Sequence, residues 1–200
     1  MARLLLLRHG QIKANRLGRW HGSTDSPLTW RGRLQARRTA RYIQATEPPV
    51  RAIYSSPLIR CRATADAIAR RLGLEVSVHP DLREYCIGEW EDTPFTDLAA
   101  RYQFVEVATA DHDFAPPGGE TLRQVAERMV PALHAIQARH ADDERVLVVS
   151  HGAAMAVALG ALIDNDPGRW IDYHFANCSL TELVLSSTAY VNFFNSTQHL

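Results

Sequence analysis

Cysteine is scarce in this chain: three in 200 residues, at Cys61, Cys86 and Cys178, with no CxxC pair. Widely spaced thiols, odd in number, argue against a disulfide framework or a cysteine-bound metal, so no metal is expected and a reducing cytoplasm fits. Net charge is missing too, since 22 Lys and Arg balance 22 Asp and Glu. Nucleic-acid binding asks for a basic domain or a recognisable module, and with neither here no nucleic-acid partner is expected. Long apolar runs are absent. Leu4-Leu5-Leu6-Leu7 is cut off by Arg8, too short for a signal core. Gly152 to Ile163 is the longest apolar stretch and falls short of a membrane span, so no membrane partner is expected. Repeats and low-complexity tracts are lacking. What is there, 46% hydrophobic and 22% charged residues, is the composition of a globular chain able to bury a core. Its length suits one domain over residues 1–200.

The charges that cancel overall are unevenly placed. Met1 to Arg41 holds ten Lys or Arg against one acid, Asp25, whereas Glu84 to Glu120 holds nine acids and one base, Arg101. Arg33, Arg37 and Arg41, at spacing four, read first as a solvated helix face.

Leu4 to Leu7 reads as a strand buried on both faces. A long polar loop is expected from Arg8 to about Thr29, where Thr29 caps a helix to about Gln44. Ala52 to Tyr54 is a short strand. Ser55-Ser56-Pro57 then starts a helix through Leu72, with Gly73 placed to end it. Glu75 to Val78 alternates like a strand. From about 85 to 119 the pattern weakens among prolines and glycines, with one short helix near Thr96 to Tyr102, and is read as a small lid insertion. Glu120 to His140 is helical, with Leu122, Val125, Met129, Leu133 and Ile136 on one face and a kink expected at Pro131. Arg145 to Val149 is a buried strand followed by a small-residue helix. Ser179 to Leu185 and Tyr190 to Phe194 are late strands. Strands alternating with helices predict an α/β fold, a three-layer α/β/α sandwich around a mostly parallel sheet.

Two of these strands end alike: Leu7 runs into Arg8-His9-Gly10, and Val149 into Ser150-His151-Gly152. In a parallel sheet both ends lie on one edge, where α/β sheets bind ligands, so two histidines are expected to face one pocket. Gly10 is expected to bring backbone N–H groups to a bound anion. Arg60 follows a third strand end, and Glu84 lies at a fourth junction. Each residue alone has an ordinary structural reading; their convergence on one sheet edge makes the constellation informative.

The ordered blocks resemble the histidine phosphatase superfamily, in its phosphoglycerate-mutase-like branch. Arg8-His9-Gly10, Asn15, Gly22, Asp25, Pro27-Leu28-Thr29, Gly32 and Gln35-Ala36 match its opening block. Ser55-Ser56-Pro57 with Arg60 and Ala63-Thr64-Ala65 match the second. Leu82-Arg83-Glu84, Gly88, Trp90 and Glu91 match the acid-bearing block, and Pro117-Gly118-Gly119-Glu120 and Ser150-His151-Gly152 the last two. The resemblance implies His9 as nucleophile, Arg8, Arg60 and His151 as holders of the phosphoryl oxygens, Glu84 as proton donor and Asn15 as a further phosphate contact. His21, where many members carry Gln, and Gly152 are candidate substrate contacts. Arginine forks and a proton donor for the leaving alkoxide are what phosphoryl transfer needs, so no cofactor is expected.

Gln11 and Asp92 also depart from the family pattern, Asp92 standing where Gly is typical. The short acidic insertion favours hydrolysis of a phosphate monoester, with a small phosphorylated metabolite as partner. The alternatives are a bisphosphoglycerate-dependent phosphoglycerate mutase, or a phosphoprotein phosphatase or regulatory phosphate-binding relative. The substrate and the oligomeric state are left open.

Overall fold

A computed structural model describes Met1–Leu200. Its centre is a six-stranded sheet in the order β3-β2-β4-β1-β5-β6. The strands are β1 (Arg3–Arg8), β2 (Val50–Ser55), β3 (Val76–Val78), β4 (Arg145–Ser150), β5 (Leu180–Val184) and β6 (Tyr190–Ser196). β1 to β4 run parallel, β5 is antiparallel to β1, and β6 is antiparallel to β5.

The leucine run explains the layering. Leu4 and Leu6 sit in one buried cluster, Leu5 and Leu7 in another, because successive strand side chains point to opposite faces. Both faces therefore need cover. The Leu5/Leu7 face is covered by α2 (Trp30–Gln44) and α3 (Ile59–Leu72), through Ala36, Ala40, Ile43, Cys61, Ala65 and Ile68. The opposite face is covered by α6 (Leu122–Gln137) and α7 (Gly152–Ile163), with Val125, Met129, Leu133 and Met155 in contact with that core. Each fully buried leucine contributes about 1.5–3 kcal/mol of transfer free energy.

Most boundaries follow local chemistry. Thr29 caps α2 by accepting from Gly32 N at 3.0 Å. Gly73 ends α3 at φ +70°, where a side chain would be strained. Thr121 and Gln124 form a capping box that starts α6 at Leu122, so Glu120 lies outside the helix expected to include it. The helix runs through Pro131 to Gln137. The expected polar loop contains a short helix, α1 (Lys13–Leu17), closed by Gly18 at φ +63°. The 85–119 segment holds two helices where one was expected, α4 (Phe95–Tyr102) and α5 (Phe104–Ala110), with Gln103 between them at φ +46°. No helix is long and apolar enough to cross a membrane.

The sheet register positions the site. Leu7 pairs with Val149, and Val149 with Ser55, so three parallel strands end level with one another. β5 runs the other way and begins at Leu180 opposite Leu7, which brings the residues just before it to the same edge.

Candidate active site

The level strand ends place Arg8, His9, Ser56, Ser150 and His151 together. His9 N donates to Ser150 O at 3.1 Å, and the His9 and His151 rings meet edge-on with centroids 5.2 Å apart. Both histidines are buried. His9 Nδ1 lies 2.8 Å from Gly10 O. A carbonyl only accepts, so Nδ1 carries the proton, and the lone pair of the neutral ring sits on Nε2. Burial first, then the charges of Arg60 and Arg8, hold the His9 imidazole well below its ordinary value, so the ring is neutral at pH 7. His151 is lowered in the same sense by burial and Arg60. Arg60 Nε donates to its Nδ1 at 3.2 Å, which leaves Nε2–H to donate to Ser56 Oγ at 2.7 Å.

A cavity of about 880 Å³ opens beside His9 and is lined at this end by Arg8, Asn15, His21, Glu84, Gly152 and Asn177. Arg8 Nη1 donates to Phe175 O, and its Nε is buried without a partner. Burial lowers the Arg8 guanidinium from its ordinary value. A buried N–H lacking an acceptor is costly; Nε is sealed from the cavity, and Nη2, which makes no hydrogen bond within the protein, is the Arg8 donor left for an anion there. Gly152 is where the guanidinium packs closely: a Cβ there would lie 3.2 Å from Arg8 Nε.

Glu84 is reached from the turn Pro80–Leu82 and is buried. Its Oε1 accepts from Tyr85 N at 2.9 Å and Ala154 N at 2.7 Å, and its Oε2 from Ala153 N at 3.3 Å. The carboxyl group therefore sits on the N-terminus of α7, where free backbone N–H groups are found.

Arg60 and His151 lie behind the cavity wall and are not among its lining residues. Beyond its bond to His151, Arg60 gives Nη1 to Thr24 O and Nη2 to His21 O and Gly22 O. The structure thus brings Arg8, His9, Glu84, Asn15, His21 and Gly152 to the cavity, and holds Arg60 against the loop that borders it. Glu91 grips the other side of that loop, accepting from Gly22, Ser23 and Thr24 N at 2.8–3.1 Å. His21 is held by Ser26 Oγ at 2.7 Å and Asp92 Oδ1 at 3.0 Å. Asp92 has φ +57°, the left-handed conformation that glycine adopts without strain. Gly10 serves a different purpose from the one expected. Its N–H donates to Thr64 Oγ1 at 3.1 Å, and a Cβ on it would fall 2.5 Å from Gly32 O. It is a contact point between chain segments.

Two groups escaped the reading of the sequence. Asn177 Nδ2 donates to His9 O at 3.1 Å and to Asn15 Oδ1 at 3.0 Å. Asn15 Oδ1 also accepts from Ile12 N, so its amide nitrogen is the part left for a ligand. Arg128 makes a bidentate pair with Glu120 at 2.7 and 2.9 Å and donates to the carbonyls of Asp81, Arg83 and Glu84. It thereby holds the backbone that carries Glu84. Burial pushes the Glu120 carboxyl up, but Arg128, the Cys86 N–H and Arg83 together outweigh it and the net shift is downward. An antiparallel strand direction hid Asn177; the Pro-Gly-Gly-Glu block was the one available signal for Glu120.

Comparison with known proteins agrees with this geometry. A glucosyl-3-phosphoglycerate phosphatase of Mycolicibacterium vanbaalenii is 33% identical over 175 residues, 84% of this chain and 77% of that protein. A probable phosphoglycerate mutase of Escherichia fergusonii is 33% identical over 189 residues, covering 92% of this chain and 85% of the relative. The chain spans 55% of a bifunctional protein of Mycobacterium tuberculosis, also 33% identical. Among solved structures, Entamoeba histolytica phosphoserine phosphatase in complex with 3-phosphoglyceric acid superposes with TM-score 0.88 at 28% identity, covering 100% of both chains. A profile described as histidine phosphatase superfamily (branch 1) matches residues 4–193, and the chain belongs to that superfamily.

Proposed function

We propose that the protein hydrolyses a phosphate monoester in two steps through a phosphohistidine on His9. The observation that carries this reading is the fixed tautomer: Nδ1–H is tied to Gly10 O, so the Nε2 lone pair is available on a ring that lines the cavity. In the first step Nε2 attacks phosphorus and the P–O bond to the alcohol breaks. The alcohol oxygen takes a proton from Glu84 in its carboxylic acid form, because an alkoxide leaves poorly without one. In the second step water gives a proton to Glu84 as its oxygen attacks phosphorus. The P–N bond breaks and inorganic phosphate leaves. Arg8, through the Nη2 that makes no bond within the protein, and the Asn15 amide hold the phosphoryl oxygens as charge moves. Arg60 and His151 support them from behind.

Hydrolysis is preferred to the mutase reading because the rest of the cavity offers no unpaired arginine or lysine to retain a second anionic group, and Glu106 lines it. We read residues 1–200 as one such domain with 85–119 as its insertion. Its setting is taken to be the cytoplasm, on the scarcity of cysteine.

The test is phosphate release from a panel of monoesters, with chelator present and His9→Ala in parallel. The wild type should turn over and accumulate a phosphoenzyme that is stable in alkali and labile in acid; the variant should do neither. Turnover surviving in the variant would overturn the role of His9.

A further inference from the structure

Away from the phosphate end, the cavity is walled by Trp20, Phe95, Val105, Trp170, Ile171 and Phe175. Two of these are left in water: Phe95 is 44% exposed and Ile171 52% exposed. They come from different elements, Phe95 from α4 and Ile171 from the turn Pro167–Asp172, yet both line the same cavity. Trp20 stacks near Phe95 at a centroid distance of 6.3 Å and an interplanar angle of 13°. Large apolar side chains exposed around a concave opening mark a surface that an apolar ligand covers.

The basic groups nearest the opening, Arg19 and His21, are already engaged. Arg19 donates to Asp92 O and lies 3.6 Å from Asp92 Oδ2. His21 has both ring nitrogens engaged by Ser26 and Asp92. Glu106 has no cationic partner, and His174 is an exposed ring without one. A carboxylate or second phosphate brought here would lose its water, meet Glu106 and find no free guanidinium. The volume, about 880 Å³, is far larger than a three-carbon acid needs and falls within the range for drug-sized ligands.

We infer that the substrate is a monophosphate whose alcohol portion is apolar and uncharged, an alkyl or arylalkyl group that fills the cleft between Trp20, Phe95, Trp170 and Ile171. This rests on the hydrolase reading and departs from the carboxylate-bearing compounds named for the relatives.

The experiment compares straight-chain alkyl phosphates, methyl to hexyl, with 3-phosphoglycerate and phosphoserine. Alkyl alcohols beyond the shortest differ little in acidity, so chain length isolates binding from leaving-group chemistry. We expect kcat/KM to rise about three- to fourfold per methylene while chain is being buried. Hexyl phosphate should exceed 3-phosphoglycerate by about tenfold or more. Ile171→Lys should flatten the alkyl series and raise the relative rate on 3-phosphoglycerate. Calorimetric binding of hexylphosphonate, which cannot be hydrolysed, against a carboxylate-bearing phosphonate of similar length separates the two claims. No turnover of any ester, with hexylphosphonate still the tighter ligand, would defeat the hydrolase reading and leave the cavity inference standing. Preference for the carboxylate compounds in rate and binding, or no binding of hexylphosphonate, would overturn the inference.

Discussion

His9 and His151 are neutral side chains buried against two guanidinium groups, and this has a cost in acid. Both are held well below the ordinary imidazole value by burial and by Arg60. In the unfolded chain each returns to a pKa of about 6.5. Below that pH the unfolded state binds protons the folded state refuses, so stability falls with pH from about 6.5 toward the depressed folded values. Between pH 7 and pH 5 each histidine should remove up to about 2 kcal/mol. His199, half-buried, shifts in the same direction. His9→Asn should therefore lose less stability between pH 7 and pH 5 than the wild type does, by about one histidine's share, in urea unfolding at the two pH values. Equal losses would mean His9 is solvated in the folded protein. Cys61, 3.3 Å from His151 Nε2, offers no competing nucleophile, because burial pushes its thiol up and keeps it protonated.

Elements place these residues by gripping backbone more than by touching side chains. The loop Gly22–Thr24 is held through its N–H groups by Glu91 and through carbonyls by Arg60. The segment carrying Glu84 is held in a similar way by Arg128, whose guanidinium touches the Glu120 carboxylate and three carbonyls. Lysine at 128 would keep the charge but lose the planar fork. Arg128→Lys should then misplace Glu84 and lower kcat on alkyl phosphates by roughly ten- to a hundredfold, within the usual contribution of a general acid. Nitrophenyl phosphate, whose leaving group needs no proton, should lose much less. An equal loss on both esters would mean that Arg128 acts only through stability.

At the scale of the molecule, the parts legible in the sequence were those with a local signature. Leu4 to Leu7 announced a strand covered on both sides, and its polar successor marked the sheet edge where the cavity opens. Thr29 and Gly73 marked helix ends by their own chemistry, whereas the Thr121 cap of α6 was hidden behind Glu120, where the helix was expected to begin. What stayed hidden depends on partners far along the chain. The direction of β5 is set by pairing with β1 and not by its residues, so Asn177 could not be assigned to His9. The block implied a phosphate contact for Arg60, but its bonds to the His21, Gly22 and Thr24 carbonyls belong to the loop's path. α1 lay concealed in a polar stretch too short to show a period. The level ends of β1, β2 and β4 carry a further meaning for how the chain folds. Asn177 bonds to His9 across 168 positions, and Arg8 to Phe175 across 167. Closing such loops is slow and depends on contacts made late. Helices α2 and α3 pack as near neighbours along the chain and need no such closure. Refolding followed by far-ultraviolet dichroism and by phosphate release should show helical signal returning before activity. Simultaneous recovery would mean that the whole sheet forms in one step. The cavity beside His9 is thus bordered by the first residues of the chain and by some of its last, so its wall closes only when the late antiparallel strand has docked.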